Sequence, residues 1–382
     1  MSDPNKPIAL VLSGGGARGA YQVGVLSAIA EIAQQLKIKN PFCIYSGVSA
    51  GAINASFLAT GADDFYNTTK RLVDLWSGLT SEQIFHSDAI NLGRLGVKWI
   101  EQLSRGGLQQ NLSPSRALMD TAPLRQLLEK KLNYELIEDH IRNGHMKALA
   151  ITALDYQTST AITFIQGEEG HKEWRKSRRH SEKAKIKTEH VMASAAIPIL
   201  FPPVAVDTRF FGDGCIRNQS PCAASIYLGA KKLMVIGVRR QHELSYEARL
   251  QQAMQSPSLL RVLNTLLNAV MLDSIELDLE RLKRVNDFID QVPDEHQAKL
   301  TYQKVDFEWI SPSVDIGEIA SGKSNQIPRL IRYVLRGLGP IEEAAEIVSY
   351  VLFEPSFCTQ LIEIGFEDGI KHTAVIEKLL TS

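Results

Sequence analysis

Residues 8–26 run Ile8-Ala9-Leu10-Val11-Leu12-Ser13-Gly14-Gly15-Gly16-Ala17-Arg18-Gly19-Ala20-Tyr21-Gln22-Val23-Gly24-Val25-Leu26. The first five residues form an apolar, β-like run that stops abruptly at the glycines. Beyond them Tyr21, Val25, Leu26, Ile29, Ile32, Ala33 and Leu36 recur at helical spacing. This is a strand, a glycine turn and a helix. A second unit follows: Phe42-Cys43-Ile44-Tyr45 as a short buried strand, Gly47 to Gly51 as a turn, and Ala52 to Ala59 as a helix of small residues. Two such units in succession predict a parallel sheet with right-handed crossovers.

Further strands are expected at Ala148 to Leu154, Ala161 to Ile165, Phe210 to Gly214 and Lys232 to Val238. The intervening stretch from Asp63 to about Gly144 reads as mostly helical, punctuated by Pro114 and Pro123, and is expected to form a layer or wall over the sheet. Beyond about residue 242 the pattern predicts one long amphipathic helix, roughly Ser256 to Ile289, then a strand at Lys304 to Ile310 and two further helices closing at Leu380. No linker rich in Gly, Pro or Ser and no internal repeat interrupts the chain. The mostly helical region, 241–382, is therefore expected to pack on the core built by residues 7–240.

The 382 residues suffice for one large α/β domain or two packed ones. Lys+Arg 42 against Asp+Glu 43 gives a formal net charge of -1, which argues against a protein built to hold nucleic acid. Cys43, Cys215, Cys222 and Cys358 are scattered, with no CxxC pair, and read as free thiols of a reducing compartment rather than zinc ligands. The apolar run before Ser13 is too short for a signal peptide, and the stretch Leu259 to Leu272 is interrupted by Arg261, Asn264 and Asn268, so no membrane span is expected. A cytoplasmic location follows, with peripheral contact at the inner face of the membrane as an extension of it. No metal and no cofactor is expected.

Gly47-Val48-Ser49-Ala50-Gly51 fits G-x-S-x-G and lies between a predicted strand and a predicted helix, the setting that motif requires. Such a turn points a serine hydroxyl out of the sheet at a helix N-terminus; a helix-capping serine is the plainer alternative. Gly14 to Gly19 exposes backbone N–H groups at the positive end of a helix, where an anion is held, either a phosphate or a tetrahedral oxyanion. Gly14, Gly16 and Gly19 also satisfy the dinucleotide fingerprint, but the second strand ends at Tyr45-Ser46 with no acidic residue until Asp63. A non-catalytic nucleotide- or anion-binding regulator is thus the competing function. Among the nine histidines only His242 sits where a Ser-Asp-His order would place a base. Asp213, between Gly212 and Gly214, is the other candidate base, or a simple turn residue.

The segments Leu12 to Leu26, Gly47 to Gly51, Ala193-Ser-Ala-Ala-Ile-Pro-Ile-Leu-Phe-Pro-Pro-Val204 and Asp213-Gly214 closely resemble, in content and order, the patatin-like phospholipases. The resemblance implies a three-layer α/β/α fold with a mainly parallel central sheet and a metal-independent lipid acyl hydrolase. It implies Ser49 as nucleophile, Asp213 as its base, and Gly14, Gly15, Gly16 and Arg18 around the oxyanion, with Gly47 and Gly51 shaping the elbow. Two positions depart from the common pattern: Ser13 stands before the glycines, and Cys215 follows Asp213-Gly214.

For partners, a phospholipid or other acyl ester is expected as substrate. The segment His171 to Thr188 carries eight Lys and Arg against two Glu and reads as a basic loop, solvated or in contact with anionic headgroups, with Trp174 placed for the interface. The stripe Leu259, Leu260, Leu263, Leu266, Leu267, Val270 and Met271 reads as core, with an acyl-chain groove or a dimer seam as alternatives.

Overall fold

The computed structural model describes residues 7–86, 117–241, 256–271, 274–297 and 299–381. The central sheet has β1 (Ile8–Leu12), β2 (Ile44–Val48), β3 (Ala148–Asp155), β4 (Thr160–Gly167), β5 (Arg175–Lys176), β6 (Arg179–Lys183), β7 (Val204–Val206), β8 (Arg209–Asp213), β9 (Lys232–Ile236) and β10 (Asp306–Ile310). Its order is β10-β9-β1-β2-β3-β4-β6-β5, with β8 on β3 and β7 on β8. From β10 to β3 every pairing is parallel, and every residue of β1, β2 and β9 is buried, as a sheet covered on both faces demands. Beyond β3 the sheet turns mixed, with β4 and β8 both antiparallel to β3.

The register along β3 positions the site. One edge of β3 is shared by two strands that run toward each other. β2 pairs with its first half, ending with Val48 opposite Thr152, and β8 pairs with its second half, ending with Asp213 opposite Ala153. Residues just past the ends of β2 and β8 are therefore forced together, although they lie far apart in the chain.

The first helix, Gly19–Gln35, is buried over most of its surface because the helix Pro355–Lys371 crosses it at close range. A Cβ at Gly24 would lie 2.0 Å from the Ile362 carbonyl oxygen, and one at Gly365 would lie 2.2 Å from that of Tyr21. At the same crossing the Tyr21 hydroxyl donates to Asp368. The C-terminal residues thus enter the core both through this helix and through β10 at the sheet's edge.

The long helix expected over Ser256 to Ile289 is helical over Leu259–Met271 and Ser274–Asp290, with residues 272 and 273 outside the described residues. One expectation from the sequence is corrected. The basic segment expected as a loop contributes β5 and β6 to the sheet's far edge. Trp174 there is not presented outward; it is half-buried and packs on Tyr227, with ring centroids 4.9 Å apart. The four cysteines are free thiols.

Candidate active site

Ser49 occupies the turn between β2 and the helix Ala50–Ala59 with φ 56° and ψ -126°, a conformation that costs an L-residue strain and that the surroundings must hold. The holding groups are visible. Ser194 Oγ accepts the Ser49 N–H at 2.9 Å and donates to the Thr152 carbonyl at 2.6 Å, tying the turn to β3. A Cβ at Gly47 would lie 2.2 Å from the Gly51 carbonyl oxygen, and one at Gly51 would lie 2.3 Å from that of Leu12, so both glycines are needed for the chain to close this tightly.

Ser49 Oγ donates to Asp213 Oδ2 at 2.6 Å. Asp213 is fully buried, and its other oxygen accepts the Cys215 N–H at 2.9 Å. Burial pushes its carboxyl up from 3.8 to about 6, while the bonds from Ser49 and Cys215 pull the other way. A carboxylate with that pKa is a far better proton acceptor near neutrality than an ordinary aspartate. His242, the alternative base, lies outside the described residues.

The glycine turn lies directly against this pair. A Cβ on Gly14 would fall 2.3 Å from Cys215 Sγ and 2.9 Å from Ser49 Cβ. Burial raises the Cys215 thiol pKa well above the usual value. Sequence reasoning treated Cys215 only as a departure from a pattern; the structure packs its thiol against the glycine turn and directs its N–H to Asp213. Gly16 has φ +57°, and a Cβ there would meet the Tyr350 carbonyl oxygen at 2.2 Å. Both conditions exclude a larger residue.

Arg18 follows the glycine turn in the chain and is nearly wholly buried. All three of its guanidinium nitrogens are engaged: Nε with Ser349 Oγ at 2.6 Å, Nη1 with the Val238 carbonyl at 3.4 Å, and Nη2 with the Glu346 carboxylate. Its carbon centre lies 5.3 Å from the Tyr350 ring centroid. The cation is thus engaged with Val238, Glu346, Ser349 and Tyr350. These C-terminal contacts carry no local motif that would reveal them in the sequence.

Ser49 is 1% exposed and faces an apolar cavity of about 30 Å³, whose wall includes Trp76, Leu79, Leu124, Ile197 and Phe353. The helices of the expected inserted layer, Phe65–Ser77 and Ala122–Lys131 among them, supply part of that wall. Among the described residues no group of three or more His, Cys, Asp or Glu side chains could hold a metal ion.

A mostly parallel sheet flanked by helices thus sets a strained serine against a buried aspartate beside a glycine turn. Residues 10–226, more than half of the chain, match the family described as Patatin-like phospholipase, and the chain belongs to that family. No curated protein matches it. Several solved structures are similar to it, three of them as follows. The VipD protein from Legionella pneumophila has 14% identity and a TM-score of 0.38, with 98% of this chain and 68% of that one covered. The type III effector protein ExoU has 15% identity and a TM-score of 0.36, with 98% and 54% covered. Human GIVD cytosolic phospholipase A2, in complex with methyl gamma-linolenyl fluorophosphonate, has 11% identity and a TM-score of 0.41, with 98% and 59% covered. The chain thus spans only about half to two thirds of these proteins' length.

Among the described residues no single helix is long and apolar enough to cross a membrane. The segments Ile341–Val351 and Pro355–Lys371 pass that test only together, and they are bent by 80° at the break between them.

Proposed function

We propose that the protein is a serine lipid acyl hydrolase, cleaving phospholipid or lysophospholipid esters with a Ser49-Asp213 dyad. The observation that carries this reading is the 2.6 Å bond from Ser49 Oγ to a fully buried carboxylate. In the proposed reaction Asp213 Oδ2 takes the hydroxyl proton as Ser49 Oγ attacks the ester carbonyl carbon. The carbonyl oxygen becomes an oxyanion facing the Gly14–Gly16 turn. The backbone amides of Gly14, Gly15 and Gly16 are the proposed donors, and Arg18 keeps the turn in place. Collapse of the tetrahedral adduct expels the alcohol, which takes the proton from Asp213. Water, deprotonated by Asp213, then attacks the acyl-serine, and the fatty acid leaves as Ser49 Oγ takes the proton back from Asp213.

We take residues 7–240 as the catalytic unit and 241–382 as an extension that completes its sheet edge and braces the turn. The Ser49 cavity has room for little more than a water molecule, so productive binding requires its wall to open. That fits an enzyme that works at a lipid surface and rests closed away from it.

The test is covalent labelling with a fluorophosphonate, read by intact mass and peptide mapping, beside hydrolysis of a short-chain nitrophenyl ester and of mixed-phospholipid vesicles. The expected result is one adduct on Ser49, with both adduct and turnover absent from Ser49→Ala. Full hydrolysis by purified Ser49→Ala would overturn the reading.

A further inference from the structure

A second apolar cavity is built chiefly by residues beyond the stretch that matches the family. It measures about 360 Å³, more than twice a ~150 Å³ apolar cavity able to hold benzene. Its walls are Leu263, Leu267 and Met271 on one helix and Ile331, Val334 and Leu335 on another, Arg329–Leu338, and every lining side chain is apolar. Such a space offers water no polar partner, and left empty it forfeits packing contacts along its whole surface. Its chemistry therefore asks for an apolar occupant.

Two observations identify that occupant. First, Ile197 stands in the wall of both this chamber and the small Ser49 cavity, so the two spaces adjoin at that side chain. Second, the chamber opens at the surface between Ile199, Leu266 and Val270, which line it and are 66%, 57% and 38% exposed. On the helix Arg329–Leu338 the apolar face turns inward, while Arg329 and Arg336 are exposed and make no ion pair among the described residues. An apolar bore with cations on its outer helix fits a long aliphatic chain bearing an anionic head.

We propose that this chamber binds one long acyl chain of a lipid and, resting on the hydrolase reading above, that it makes the enzyme selective for long-chain esters by receiving the chain past Ile197. The first half of this statement concerns binding and is tested without turnover.

The experiment titrates a long-chain fluorescent fatty acid, cis-parinaric acid, into wild type, Ser49→Ala, Leu267→Trp and Val334→Trp, with palmitate as competitor. The two tryptophans fill the chamber from opposite walls, and circular dichroism checks each fold, so one serves if the other does not fold. Saturable binding by wild type and Ser49→Ala, displaced by palmitate and weakened ~10-fold or more by a filling variant, is the expected result. In parallel, the ratio of palmitoyl to butyryl nitrophenyl ester hydrolysis should fall by a similar factor in that variant. Absence of saturable binding by wild type, or equal binding by a folded filling variant, overturns the chamber as an acyl site. Binding as expected with an unchanged ester ratio overturns its role in selectivity. Binding as expected in a protein that hydrolyses no ester sustains the acyl site and defeats the hydrolase reading, so the two failures are told apart.

Discussion

The two ends of this molecule bury apolar surface in opposite ways. Around β1, β2 and β3 the side chains interlock closely: Leu10, Tyr45 and Leu149 are wholly buried, and the one cavity at Ser49 holds about 30 Å³. Between the helices Leu259–Met271 and Arg329–Leu338, equally apolar side chains enclose more than ten times that volume. Close packing fixes a strained serine to within fractions of an ångström of its partner, whereas loose packing leaves space for something else to occupy. The same hydrophobic pattern in a sequence serves both ends, and only the depth of interlocking separates them.

The sharpest way to break this comparison is at the tight end. Asp213→Asn keeps the shape of the side chain but removes the proton acceptor, and kcat is expected to fall by ~10³- to 10⁴-fold on any ester the wild type cleaves. A residual rate within tenfold of wild type, from protein shown to be folded, would mean that the 2.6 Å bond to Ser49 is structural only.

Packing is next in size. Leu149 is wholly buried in β3, and Leu149→Ala is expected to cost about 3–5 kcal/mol in urea unfolding. Glu346→Ala at the junction of the two regions should cost a similar amount. It strips the nearly buried Arg18 guanidinium of its counter-charge, and a buried charge left unpaired is penalised by about that much. A Glu346→Ala protein as stable as wild type, with unaltered turnover, would show that the C-terminal segment does not brace the glycine turn.

Much of the tight end is legible in the sequence because its geometry is local. Gly47 and Gly51 flank Ser49 within one turn, and Gly14 to Gly16 follow β1 directly, so spacing alone suggests a strained serine and an anion-binding turn. The approach of Asp213 depends instead on β2 and β8 meeting head-on along β3, a register that periodicity does not encode; the family resemblance supplied it. Nothing local announces that Arg18 will find Glu346 and Ser349, or that Cys215 will sit under Gly14. The apolar stripe from Leu259 to Met271 showed that a face must be covered but not that the cover would stand off from it. Trp174 went astray for a related reason: its partner, Tyr227, is distant in sequence.

The pH response separates chemistry from stability at one residue. Asp213 must be ionised to accept a proton, so kcat/KM should rise with pH and level off above about 6. Stability runs the other way. Because the folded carboxyl titrates above its ordinary 3.8, the native state holds more protons than the unfolded chain between about 4 and 6. This contribution is fully present at low pH and is lost as pH rises through about 6. At ~1.4 kcal/mol per pH unit, ionised Asp213 costs up to about 3 kcal/mol at pH 7.5. Asp213→Asn should therefore be more stable than wild type at pH 7.5, with the gap closing toward pH 4. An activity profile flat from pH 5 to 8 would show that this carboxyl does not act as the base.

The smallest expected effect tests the loose end. Leu263 lines the chamber and is half-buried, so a large part of its surface already faces open space rather than protein. Truncation to alanine then removes few contacts and enlarges a void that exists in any case, and Leu263→Ala should cost about 1 kcal/mol or less in the same urea titration. The informative quantity is the difference from Leu149→Ala, since both substitutions delete the same atoms from a leucine in a helix or strand of one protein. If the two costs prove equal, the chamber is closed by rearrangement in solution and the contrast between the two ends disappears. If Leu263→Ala is nearly neutral in the free protein but costs much more when palmitate is present, the missing contacts are those made with a bound chain. The difference between the two conditions then measures what Leu263 contributes to holding it.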